Sequence, residues 1–246
     1  MRVFYIRTYL TRRNLQYDVF LYSPLNFALM EQVEIRGEVL TLLGERAMCW
    51  DAQKTLIIAD LHLGKINHFR RAGIPAPQKA NDSNVDRLLS LLQSTKPERV
   101  LLLGDLFHSS YNSEWEVFGQ VVKAFPATRF ELVLGNHDIM SRYQYEKHGI
   151  ILHDEELKLG SFIFTHDLLK EESELFNIAG HIHPGVRLRG KGRQFLRLPC
   201  FYFNDTHGLM PAFGEFTGLY QLKPKETDRI FVIAEKDVID VSKQLS

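Results

Sequence analysis

The sequence predicts a mixed α/β sandwich, two sheets flanked by helices. Three observations carry that reading. Short, dense apolar runs recur along the chain, amphipathic helical stretches separate the first of them, and helical spacing disappears after His183. The runs TLIIAD (55–60), RVLLLGD (99–105), FELVLGNHD (130–138), SFIFTHD (161–167) and FNIAGHIHP (176–184) are too short for helices. They are apolar enough to be strands covered on both faces. Between the first two, Val85, Leu88, Leu89 and Leu92 stand at i, i+3, i+4 and i+7, which predicts an amphipathic helix over 78–95. Trp115, Phe118, Val121, Val122 and Phe125 repeat the pattern before the third run. Beyond His183, VRLRGKGR, QFLRLPCFYF, FGEFTGLYQL and RIFVIAEKDVIDV read as consecutive strands joined by Gly and Pro turns.

Composition bounds the class. The chain has 246 residues, 45% hydrophobic and 24% charged, which excludes disordered and fibrous proteins and allows a full core. Lys+Arg 30 balances Asp+Glu 30, so no global basic field draws it to nucleic acid or membrane, and any such binding needs a local patch. Cys49 and Cys200 make no disulfide framework, which suits a reducing compartment. No apolar run approaches the ~18 residues of a membrane span, so a soluble cytoplasmic protein is expected. Residues 1–29 are set apart as an extra N-terminal segment. Either translation starts at Met30, just before the strand-like VEIRGEVLTLL, or they form an additional strand or arm. Residues 30–246 show no linker or internal repeat and read as one domain.

The chemistry collects where the five runs end. Asp60 and His62, then Asp105, then Asn136, His137 and Asp138, then His166, then His181 and His183 follow successive strands. Ligands of open α/β sheets bind outside the carboxyl ends of the strands. Any one of these residues alone is more often a turn former or a helix cap. Five strand ends all finishing in Asp, Asn or His are not explained that way. His68, His148, His153 and His207 lie outside the pattern and read as surface residues, while His108 can line the pocket. Imidazoles mixed with carboxylates and one amide oxygen suit Mn, Fe, Zn or Co. The candidates outnumber the ligands of one tetrahedral ion and match a pair of ions sharing a carboxylate, a clamp for in-line displacement at phosphorus.

Asp60-x-His62, Gly104-Asp105, Gly135-Asn136-His137-Asp138, Thr165-His166 and Gly180-His181-x-His183 resemble the five ordered motifs of the calcineurin-like metallophosphoesterases. That resemblance implies the four-layer αββα sandwich of two mixed sheets flanked by helices. It implies a first metal on Asp60, His62 and His183, a bridging Asp105, and a second metal on Asn136, His166 and His181. His137 matches the family's catalytic histidine, Asp138 is expected to orient it, and a metal-bridging hydroxide is the expected nucleophile. HLGKINHFRRAGIPAP (62–77), RLPCFYF (197–203) and LMPAFGEFTGL (209–219) look like one bacterial branch, the ligase-associated DNA-damage-response endonucleases. Leu219 stands where that branch usually has a second glycine. The likeness implies a manganese-dependent phosphodiesterase or nuclease acting on DNA in repair, with a DNA ligase and a helicase as associates.

The residues permit DNA without requiring it. Lys65, Arg70 and Arg71 follow the first metal motif, and Arg187, Arg189, Lys191 and Arg193 alternate after the last, as a one-sided ladder on a strand or hairpin would. A charged edge strand guarded against aggregation has the same pattern. Phe69, Phe107 and Tyr111 are candidates for base stacking. The same motifs serve a phosphodiesterase or phosphatase acting on a small nucleotide, or a scaffold that keeps metals without turnover. FVIAEKDVIDV (231–241) reads as an exposed edge suited to pairing with another copy.

Overall fold

A computed structural model describes residues 5–11, 14–20, 29–63, 79–107, 113–189, 195–215 and 217–244. Lys65, Arg70, Arg71, His108, Lys191 and Arg193, with Phe69 and Tyr111, lie outside the described residues. Near the N-terminus, β1 (Tyr5–Thr11) and β2 (Asn14–Phe20) pair as an antiparallel hairpin.

The first sheet is a continuous ladder of seven strands in chain order. It runs β3 (Glu31–Ile35), β4 (Glu38–Leu43), β5 (Ala47–Trp50), β6 (Thr55–Ala59), β7 (Arg99–Leu103), β8 (Arg129–Val133) and β9 (Ile150–His153). The turn between β3 and β4 is Arg36-Gly37, both at positive φ, the backbone a two-residue hairpin needs. From β6 onward the strands are parallel, because α1 (Lys79–Thr95), α2 (Ser113–Ala124) and α3 (Arg142–Glu146) carry the chain back each time. The helix expected over 78–95 is thus present as Lys79–Thr95.

The second sheet has nine strands. Its path is β10 (Glu156–Leu159), β11 (Phe162–Thr165), β12 (Phe176–Ala179), β15 (His207–Leu209), β14 (Phe195–Phe203), β13 (Pro184–Arg189) and β16 (Tyr220–Gln221). The hairpin of β17 (Arg229–Ala234) and β18 (Asp237–Asp240) attaches to β14. Among the described residues of the expected strand FGEFTGLYQL, only Tyr220–Gln221 form one, since Phe213 and Gly214 are held along the end of β6 instead. The edge expected for pairing is partly closed: the Val238 amide donates to Leu29 O at 2.9 Å and the Leu29 amide to Asp237 Oδ1 at 3.0 Å.

Alternation on β6 explains its unbroken apolar run. Leu56 and Ile58 face the helices with Leu88, Trp115 and Phe118, while Ile57 and Ala59 face the second sheet with Phe164, Ile178 and Phe203. The outer face of the second sheet carries a smaller cluster of Val186, Cys200, Ile230, Val232 and Val241. Burial pushes the thiols of Cys49 and Cys200 up to about 12, so both remain protonated core residues. Phe107 is fully buried, which removes it as a base-stacking residue. Among the expected surface histidines, His148 is instead a core residue against Trp115, and His153 pairs with buried Glu131 at 2.9 Å. No helix among the described residues is long and apolar enough to cross a membrane.

Candidate metal centre

The parallel strands of both sheets end at one place. Asp60 and His62 follow β6, Asp105 follows β7, Asn136 to Asp138 follow β8, His166 follows β11, and His181 and His183 follow β12. Main-chain bonds hold the loop ends in register past the strands. The His62 amide donates to Asp105 O at 2.9 Å, Leu63 to Leu106 O at 3.0 Å, and Gly180 to His166 O at 3.0 Å.

Two groups of donor atoms result. In each of Asp60, His62, His183 and Asp105, His166, His181, the candidate ligand atoms lie within 4.8 Å of one another. His62 Nε2 is 3.4 Å from His183 Nε2, and His183 Nε2 is 3.5 Å from Asp60 Oδ1. His166 Nε2 is 3.0 Å from both Asn136 Oδ1 and His181 Nδ1, and 3.4 Å from Asp105 Oδ1. Two donors about 2.1 Å from a common ion, at tetrahedral to octahedral angles, stand roughly 3.0–3.4 Å apart. Asp105 touches both groups: Oδ1 is turned to His166, and Oδ2 lies 3.9 Å from His62 Nε2.

The donor chemistry fits cations. His166 Nδ1 donates to Leu103 O at 3.1 Å, so the lone pair of a neutral ring, on Nε2, points at the acceptor oxygens of Asn136 and Asp105. Acceptors facing acceptors at these distances repel unless a positive charge lies among them. Asp60 Oδ1 is buried and accepts no hydrogen bond, although Oδ2 accepts from the His181 amide at 2.9 Å. A buried carboxylate oxygen without a donor is costly and calls for a charge partner.

The backbone is bent to make this arrangement. Five of the ten non-glycine residues at positive φ among the described residues are Asp60, His62, Asp105, His181 and His183, at 48° to 63°. Each such residue costs roughly 1–2 kcal/mol. In Asp60-x-His62 and His181-x-His183 the left-handed residues flank one ordinary residue, so the two motifs share a local shape. The motif glycines leave space for it. A Cβ at Gly180 would stand 2.6 Å from Asp60 Oδ2, and one at Gly135 2.5 Å from Asp105 Oδ1.

His137 lies at the mouth. Its amide donates to Asp105 Oδ1 at 3.0 Å, its side chain is 45% exposed, and Nε2 is 4.0 Å from Asp105 Oδ2. Asp138 ties backbone amides of two loops together. Oδ1 accepts from the Leu106 and Phe107 amides at 3.0 and 3.3 Å, and Oδ2 from the Gly135 amide at 2.9 Å, tying the Asp105 and Asn136 loops together. Burial pushes its carboxyl up to about 6 against these amides.

A clamp around Asp60 has no counterpart in the sequence reading. Phe213 and Gly214 amides donate to Ala59 O and Asp60 O at 2.8 and 2.9 Å. Arg46 donates to Ala212 O and Gly214 O, and Arg87 stacks on the Phe213 ring while donating to Phe213 O and Asn84 Oδ1. The stretch LMPAFGEFTGL holds this segment, but lone arginines in a helix and after a strand carry no mark of it.

The family model of the calcineurin-like phosphoesterases matches residues 53–212, well over half the chain and all five metal motifs. The chain belongs to the calcineurin-like phosphoesterase family. Phosphoester hydrolysis is the activity of its class, the family implies two divalent metal ions, and the two donor groups are candidate sites for them. Among solved structures, the Pseudomonas putida nuclease MPE superposes with a TM-score of 0.72 at 28% identity, covering 86% of this chain and 99% of that one. The Aquifex aeolicus protein AQ665, of unknown function, gives a TM-score of 0.37 at 17% identity over 56% of this chain and 82% of its own, too little to bear on function. No curated protein matches the sequence.

Proposed function

We propose that this phosphoesterase is a manganese-dependent phosphodiesterase that cuts DNA, single-stranded or structured, in repair. The observation that carries the two-metal reading is Asp105, with one carboxylate oxygen turned to each donor group. Asp60, His62 and His183 would hold one ion and Asn136, His166 and His181 the other, with Asp105 facing both positions. When bound, the ion pair supplies Lewis acidity to the phosphoryl group and lowers the pKa of water at the centre. Mixed nitrogen and oxygen donors without thiolate accept manganese.

The chain's own groups do the rest. His137, exposed above Asp105, reaches a phosphoryl group seated on the centre and protonates the departing oxygen or stabilises charge on phosphorus. Asp138 keeps the His137 loop on the Asp105 loop through three backbone amides. Both cysteine thiols are buried and protonated, so neither serves as a nucleophile. Support for a polymeric substrate is the exposure of Asn136, His137 and His181 at the mouth, together with the likeness to a bacterial nuclease over nearly its whole length.

The test is hydrolysis of a circular single-stranded DNA and of bis(p-nitrophenyl) phosphate with manganese, beside His137→Ala. Cleavage of both, with kcat lost by roughly 10²–10⁴-fold in a variant that keeps its metal, is the expected result. Hydrolysis of the chromogenic ester alone would overturn the DNA reading and point to a small phosphoester.

A further inference from the structure

The strand register places a wall beside the metal centre. Ala179, where β12 ends and the ligand loop begins, pairs with Leu209, and Leu209 pairs with Tyr202 of β14. Arg197 and Phe195 precede Tyr202 on that strand, so they stand about 17 and 23 Å beyond this level on the ligand side. β13 leaves from His183 and pairs antiparallel with this stretch, Arg187 opposite Arg197 and Arg189 opposite Phe195. The two strands therefore form a ribbon that rises past the sheet from the root of a metal ligand.

One face of the ribbon is apolar and packed, with Val186, Leu188 and Leu198 in the outer cluster. The other face carries Arg187, Arg189, Phe195 and Arg197, all exposed, and no acidic residue occupies that face of the paired stretch. This is the face that, lower on β14, buries Phe201 and Phe203 between the sheets. Above the sandwich it consequently looks toward the side from which the first sheet's ligands emerge. Arg187 and Arg197 confront each other directly across the strands, a like-charge pair that weakens a sheet unless an anion lies between them. The Arg187 guanidinium is stacked 3.5 Å over the Phe195 ring, which is itself 52% exposed. In a chain of zero net charge this is a concentrated cationic and aromatic surface.

We propose that this face of the ribbon binds the single-stranded segment flanking the scissile phosphate, with backbone phosphates on Arg187, Arg189 and Arg197 and a base against Phe195. The inference rests on the DNA reading above and assigns its substrate-positioning residues. Alternate residues on a strand are about 6.6 Å apart, a spacing that lets successive guanidiniums follow an extended phosphodiester chain. Stacking on Phe195 fixes one guanidinium and leaves its N–H edges for phosphate.

The experiment compares Arg187→Gln/Arg189→Gln/Arg197→Gln, and separately Phe195→Leu, with the wild-type chain on single-stranded DNA and on bis(p-nitrophenyl) phosphate. Expected for the triple variant is a loss of about 10–100-fold in kcat/KM on DNA through KM, with kcat and chromogenic hydrolysis within twofold. The log–log salt slope of DNA binding should flatten by about 2, from three phosphate contacts at about 0.7 each. Phe195→Leu should lose about 5–10-fold on DNA alone, in keeping with the loss of one stacked base. If the triple variant does not fold, Arg197→Gln alone should show a third of the slope change. DNA cleavage and salt slope equal to wild type would overturn the ribbon assignment, whether or not the variant loses solubility as an unguarded edge would. A wild-type enzyme that hydrolyses the chromogenic ester but neither cuts nor binds DNA would instead overturn the DNA reading, and this assignment with it.

Discussion

The main-chain amide of His181 donates to Asp60 Oδ2 at 2.9 Å, joining the last ligand loop of one sheet to the first ligand loop of the other. The bond turns Oδ1 inward, 3.5 Å from His183 Nε2, where it accepts no hydrogen bond. One residue thereby joins the sheets and presents a candidate ligand atom.

Gly180 precedes His181, and its missing Cβ is what allows that bond. Gly180→Ala would put carbon 2.6 Å from Asp60 Oδ2 and 2.9 Å from Ala59 Cβ. Overpacking of this kind costs about 1–3 kcal/mol. Thermal unfolding should show the loss, and manganese titration should show weaker binding at the Asp60 group.

Asp105→Asn should weaken both ions, since each carboxylate oxygen faces a different donor group. Metal content after gel filtration should fall at both positions, and kcat should drop by roughly 10²–10³-fold. Manganese at ~100 times its Kd should stabilise the wild type by about 2.7 kcal/mol per site, a gain the variant should lack. Full metal content and rate in the variant would refute a shared carboxylate.

Arg87→Met tests the clamp on the Phe213 segment. The buried guanidinium, its pKa lowered to about 10 by burial and by Arg46, donates to Phe213 O and Asn84 Oδ1. Removing it leaves Phe213 O without its donor, at about 1–3 kcal/mol, while Asn84 Oδ1 keeps the Glu215 amide at 3.3 Å. Because Gly214 is bonded to Asp60 O, metal affinity should fall about tenfold although Arg87 touches no ion.

The stability contributed by the buried histidines should decline as pH falls below about 6.5, the ordinary histidine value. Burial lowers the pKa of His148, so the unfolded ring takes up a proton at a pH where the folded ring stays neutral. The unfolded chain then binds more protons, and acid favours it. Burial also lowers His207, in the same direction. Glu131 adds a later loss: despite burial, hydrogen bonds from Arg99 and His153 hold its pKa below 4.5, and that stability disappears as pH falls through the folded value. Urea unfolding at pH 7 and pH 5 should show a smaller difference in His148→Leu than in the wild type.

Much of this protein is determined by sequence alone. Dense apolar runs covered on both faces locate strands β6, β7, β8, β11 and β12, and the 3.6-residue spacing of Leu88, Leu92, Trp115 and Phe118 locates the two long helices. The Asp, Asn and His residues at those strand ends mark the metal motifs, because parallel strands deliver the loops at their carboxyl ends to one edge. Other features depend on distances between segments far apart in the chain. Local pattern reads His148 as surface, yet Trp115 covers it, and it reads Phe107 as available to a base, yet the core encloses it. Asp138 is spent on amides from two loops, and Arg87 reaches a carbonyl 126 positions away. The pairing of Arg187 with Arg197 comes from register, which is set by packing of Val186 and Leu198 on the opposite face. Periodicity records which face of an element is buried; only the folded chain decides what lies against it.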